Sequence, residues 1–122
     1  MFTHTTVGTN NLDGARKMYD AALGALGHAR TADLGDNGSI YGGQFFILKP
    51  ADGNAATAGN GTTISLAAPS RKAVDEFHAA ALANGATCAG EPGPRGFAPN
   101  AYAAYIRDLD GTKIVAVCTK PE

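Results

Sequence analysis

The sequence predicts an α+β fold built from two βαβββ modules, and three observations carry that prediction. The stretch Tyr102 to Cys118, YAAYIRDLDGTKIVAVC, sets two apolar-rich runs either side of an Asp-Gly pair. Asp-Gly between such runs is a strong hairpin signal, because Gly accepts the positive φ of a tight turn. Two stretches of helical periodicity superimpose when laid 59 positions apart: Ala15 on Val74, Met18 on Phe77, Ala22 on Ala81 and Leu23 on Leu82. Each is preceded by one strand-like segment and followed by three. A period near 60 exceeds that of solenoid repeats, so duplication of one module explains it better.

Module one spans residues 1–50. Phe2 to Gly8 reads as a first strand. Asn10 or Asn11 can cap the helix that follows, since either side chain can accept from a free N–H of the first turn. Ala15, Met18, Ala22 and Leu26 form its apolar stripe, with Tyr19 and Leu23 beside them. Gly27 suits the left-handed position that ends a helix. His28 to Leu34, Ser39 to Tyr41 and Gln44 to Lys49 read as three strands, broken at Gly35-Asp36-Asn37-Gly38 and at Gly42-Gly43.

From Pro50 to Gly61 the chain reads PADGNAATAGNG, small, polar and without period. It is expected to be a linker (residues 51–61) between module one and module two (residues 62–122). In module two, Thr62 to Ala68 reads as a strand and Ser70 as a helix cap. Val74, Phe77 and Ala81 line the helix with His78 and Leu82 alongside, and Gly85 closes it. Ala86 to Glu91 reads as a strand and Pro92 to Asn100 as a loop before the final hairpin. The segment Thr112 to Cys118 is almost wholly apolar, which predicts a strand buried on both faces inside its sheet.

Composition excludes several classes. The 122 residues suffice for one domain, and an apolar fraction of 44% supports a real core. Ten basic and eleven acidic residues are scattered along the chain, with no basic stripe to bind nucleic acid. No apolar run nears the roughly 20 residues of a membrane helix. The N-terminus lacks the features of a signal peptide, so a cytoplasmic location is the default expectation. No Gly-rich turn joins a strand to a helix as in nucleotide sites, and no serine sits in a nucleophile elbow.

The closing segment, Tyr102-Ala-Ala-Tyr-Ile-Arg-Asp-Leu-Asp-Gly-Thr-Lys-Ile-Val-Ala-Val-Cys118, resembles the signature of the vicinal oxygen chelate superfamily of glyoxalases, bleomycin-resistance proteins and extradiol dioxygenases. Gly61 to His78 resembles that family's strand-to-helix passage, and the likeness covers essentially the whole chain. It implies curved mixed sheets that enclose a cleft, with metal ligands near matching points of the first and last strand of each module. His4 stands at the first such point. Thr63 stands where many relatives carry His, and Val115 where they carry Glu. Laying Lys49-Pro50 on Lys120-Pro121 pairs Gln44 with Val115, and alternation puts Phe46 on the face of Gln44. Catalytic divalent sites usually need about three protein donors. The expectation is therefore a cleft without metal or other cofactor, a residual divalent ion at His4 being the disfavoured alternative.

The resemblance also implies a covering loop that carries Arg95 and Phe97, able to clamp an anionic or aromatic ligand. Tyr102 and Tyr105 must point to opposite faces of their strand, so one of them lines the cleft. The expected site residues are His4, Gln44, Phe46, Thr63, Arg95, Phe97, Tyr102 and Val115. His78 reads as a packed structural residue and His28 as solvent-facing. The first functional reading is a binding protein for a neutral or anionic small molecule, acting as a homodimer. The alternative is an enzyme of lyase, isomerase or dioxygenase type, with or without a metal, that uses His4 or Tyr102 for proton transfer. A third reading is a structural homologue with an empty cleft. The family's strand order places the Tyr102 strand between those of Cys88 and Cys118, roughly 10 Å apart, so both are expected to be free thiols.

Overall fold

A computed structural model describes all residues, 1–122. Module one comprises β1 (Thr5–Gly8), α1 (Leu12–Ala25), β2 (Arg30–Asp33), β3 (Gly38–Tyr41) and β4 (Phe45–Leu48). Module two repeats the order with β5 (Thr63–Ala67), α2 (Arg71–Ala83), β6 (Thr87–Pro94), β7 (Tyr102–Arg107) and β8 (Lys113–Cys118). Each module forms a four-stranded mixed sheet, ordered β1-β4-β3-β2 and β5-β8-β7-β6. In each, the first and last strands pair in parallel and the remaining pairs are antiparallel. The two sheets stay separate and do not close into one wall.

The helix ends follow local chemistry. Asn11 Oδ1 accepts from the Gly14 N–H at 2.9 Å, and Ser70 Oγ accepts from the Ala73 N–H at 3.0 Å. Each thereby satisfies a donor of the first turn that has no partner within the helix. Past α1, Gly27 takes φ 91° and the His28 N–H returns to the Leu23 carbonyl at 2.9 Å. Gly85 plays the same part after α2 at φ 103°.

Several strand ends differ from expectation by a residue or two, and two differ by three. The first strand begins at Thr5 rather than Phe2, which leaves His4 just outside the ladder. β6 runs on to Pro94, absorbing residues expected in the loop. β6 is an edge strand, and prolines can enter there because one side of the strand needs no ladder donors. β8 lies inside its sheet as expected, with Ile114, Val115, Ala116 and Cys118 buried. Cys88 and Cys118 are both free, separated by β7.

The helices pack on each other, and one cluster of 22 buried residues draws on both modules. Met18, Tyr19, Ala22 and Leu23 come from α1, and Val74, Phe77 and Ala81 from α2. Polar contacts close the junction. Tyr19 donates to Asp108 Oδ2, and the Asn10 N–H donates to Asp110 Oδ1 at 2.8 Å. The linker is tied down as well: the Asn10 side chain both donates to the Ala56 carbonyl and accepts from the Ala56 N–H.

Candidate functional site

In module one the parallel ladder starts with the Thr5 N–H donating to the Gln44 carbonyl at 2.9 Å, which sets His4 beside Gln44. One step on, Thr6 faces Phe46. The His4 ring stacks on Phe46 with centroids 4.5 Å apart and planes inclined by 28°. Its Nδ1 lies 2.9 Å from Thr3 Oγ1, so Nε2 is the nitrogen left for other partners. His4 and Gln44 also border a cavity of about 220 Å³ whose apolar wall includes Leu23, Phe45 and, from module two, Leu66. His28 is exposed, as expected, and lines the same cavity. No acidic or basic side chain other than the two imidazoles reaches its lining.

Module two arranges its residues differently. Thr63 is exposed at the start of β5 and pairs with Lys113. Val115 is 1% exposed, so it presents no surface to a ligand. Its place inside β8, between Ser65 and Tyr105, explains this. Tyr102 turns toward α2, where its hydroxyl donates to Asp75 at 2.7 Å and Arg71 lies over its ring. That hydrogen bond raises the phenol above its usual range. Tyr102 is thus on the helix side of the sheet, and Tyr105 takes the open side with Val115. The Tyr105 ring carries Arg95 at 5.4 Å and Lys113 at 5.3 Å. Backbone carbonyls of Glu91, Gly93 and Pro94 fix the Arg95 guanidinium there. Phe97 is 60% exposed.

The ladders also correct one correspondence between the modules. Thr5 pairs with Phe45 and its repeat Ile64 pairs with Ile114. Phe46, not Gln44, is therefore the counterpart of Val115, and Gln44 falls on Lys113. The Lys-Pro match at the module ends is out of step by two residues, which preserves the face but shifts the position.

The donors around His4 do not fit a divalent ion. Its module-two counterpart Thr63 offers one hydroxyl, Val115 offers none, and His4 belongs to no group of three His, Cys, Asp or Glu donors.

Comparison with solved structures gives the fold a family. A glyoxalase/bleomycin resistance protein from Albidiferax ferrireducens T118 is 43% identical, with 99% of each chain covered and a TM-score of 0.87. This chain belongs to the glyoxalase/bleomycin resistance protein family. A lactoylglutathione lyase from Agrobacterium tumefaciens shares the fold at 20% identity and TM-score 0.65, covering 97% of this chain and 92% of that one. A glyoxalase-related enzyme from Fulvimarina pelagi does so at 15% identity and TM-score 0.73, covering 97% and 87%. No protein-family model matches the sequence, and neither does any curated protein.

Within this glyoxalase/bleomycin resistance family member, the structure brings His4, Gln44 and Phe46 together and adds His28, which sequence reasoning assigned to solvent. Only the return of the chain after α1 carries His28 to the cavity, so no local signal marks it. Phe46 touches the cavity only through the His4 ring, and Thr63, Arg95, Phe97, Tyr102 and Val115 do not reach it.

Proposed function

We propose that the protein binds a small organic molecule, neutral or anionic, in the cavity beside His4, and does so without a divalent metal. The observation that carries this reading is the lining itself. Apolar walls with a few placed polar groups are the usual make-up of small-molecule sites. Here those groups are the His4 and His28 imidazoles and the Gln44 amide, with no carboxylate to attract a cation. The second copy of a homodimer would cover the open sheet faces that one chain leaves uncovered. A thermal-shift screen of small neutral, anionic and cationic compounds tests the reading, with light scattering for the dimer. Stabilisation by neutral or anionic compounds, lost in His4→Ala, is expected. A response confined to cations, or none from any compound, rejects it.

A second reading is favoured by one detail. Thr3 occupies Nδ1 of His4, which leaves Nε2 of this cavity-lining residue free to take or give a proton. Turnover of a screening hit that stops in His4→Gln would make the protein a metal-independent enzyme.

A further inference from the structure

The helix side of the module-two sheet holds a second constellation, which shares no residue with the lining of the cavity beside His4. His78 of α2 places Nε2 3.2 Å from Cys88 Sγ, and that sulfur lies 3.4 Å from Glu91 Oε1. One donor atom from each residue lies within 4.8 Å of the other two. His78 is 6% exposed, while Cys88 and Glu91 open to solvent.

The backbone explains how Cys88 and Glu91 come to share a face. Residues three apart in a regular strand point to opposite sides. In β6 the register steps from Cys88 opposite Ile106 to Gly90 opposite Tyr105, so two residues of β6 answer one of β7. That bulge reverses the alternation. Gly90 then faces the Tyr105 side, and Glu91 returns to the side of Cys88 and α2. Bulges re-aim side chains in this way and are frequent next to functional sites.

We propose that His78, Cys88 and Glu91 form a zinc-binding site. Imidazole, thiolate and carboxylate together make a donor set that suits zinc. With Zn–S near 2.3 Å and Zn–N near 2.0 Å, tetrahedral angles separate nitrogen from sulfur by about 3.5 Å. The observed 3.2 Å is within a few tenths of that, and the sulfur-to-oxygen distance of 3.4 Å closer still. Zinc entry replaces the thiol hydrogen: the S–H bond breaks, a Zn–S bond forms, and the proton leaves to water. The buried imidazole is held by the helix, whereas the two exposed donors can adjust by small rotations. Three protein donors leave a fourth position toward solvent, where water can bind.

The site is independent of the cavity beside His4, so the ligand reading and the zinc reading stand or fall separately. Chelator-stripped full-length protein, kept reduced with a phosphine, is titrated with zinc chloride by calorimetry and with cobalt chloride by absorbance. One zinc per chain is expected, and cobalt should give a near-ultraviolet sulfur-to-metal charge-transfer band. Cys88→Ser should abolish that band. Glu91→Gln should weaken zinc by more than the roughly 10–100-fold that loss of an outer-shell partner costs. Both changes are on the surface, so circular dichroism should be unaltered, whereas replacing buried His78 risks the fold. Absence of zinc binding, or binding of equal strength in Cys88→Ser, overturns the proposal.

Discussion

Tyr19 donates its hydroxyl to Asp108 Oδ2 at 2.6 Å, and the two residues belong to different modules. Tyr19 rises from α1, while Asp108 opens the turn between β7 and β8. The other carboxylate oxygen accepts from the Asp110 and Thr112 N–H groups. The helix of one half thereby locks the hairpin of the other in a buried setting. Tyr19→Phe leaves Oδ2 without its donor and should cost about 1–3 kcal/mol. Urea unfolding with an unchanged m-value checks this.

The same pair gives a pH dependence. Burial raises the Asp108 carboxyl above its ordinary range, against the hydrogen bonds that lower it. The folded chain then keeps this proton to higher pH than the unfolded chain. Its contribution is complete below the ordinary carboxylate value of 3.8 and is lost as pH rises through the raised value. Burial likewise raises Tyr19, so a second loss begins as pH passes the ordinary phenol value of 10.0. Asp108→Asn should flatten the first decline and shrink the second, because Asp108 adds to the rise of Tyr19 that burial sustains. Unfolding free energies measured across both windows test the two slopes.

Two glycines should respond in opposite directions. Gly24 is exposed in α1, and a methyl group there would meet nothing within 4 Å. Gly24→Ala should therefore stabilise by about 0.4–1 kcal/mol, mainly by restricting the unfolded chain. At Gly38 a Cβ would run into the carbonyl of Ile47 on the paired strand. Because the obstacle is backbone, Gly38→Ala should cost at least the roughly 1–3 kcal/mol of an overpacked core. Thermal unfolding of both variants reads out the two signs.

Phe46 holds the His4 ring from one side, so its loss should loosen the imidazole without touching the cavity's apolar wall. Phe46→Ala should weaken any ligand that depends on His4 and lower stability less than Phe45→Ala. Phe45 is 6% exposed in the shared core, and its truncation should cost about 3–5 kcal/mol. Parallel thermal-shift and binding measurements separate the two effects.

Much of this fold is legible because its signals are local. Asn11, Ser70, Gly27 and Gly85 mark helix ends through bonds to near neighbours, and Asp110-Gly111 marks the hairpin by its turn geometry. What escaped depends on pairing between distant strands. Alternation requires Tyr102 and Tyr105 to face opposite ways, but only Asp75 on α2 decides which goes where. The Phe46–Val115 correspondence needs two ladders, since the Lys-Pro repeat lies beyond the paired residues. Cys88 and Glu91 read as opposite-facing until the bulge in β6 is known.

The tie between Asn10 and the Ala56 peptide bears on how the chain can be divided. Although rich in glycine and alanine, the linker is held at its midpoint by two hydrogen bonds, of 3.0 Å and 2.6 Å. The core it spans is common property of both halves. Separate expression of residues 1–55 and 57–122 should then yield two fragments that are each unfolded alone and regain structure when mixed. Calorimetry of the intact chain should show a single transition, its calorimetric and van't Hoff enthalpies equal. Those outcomes would make the duplicated architecture one cooperative unit, with neither copy autonomous as a domain.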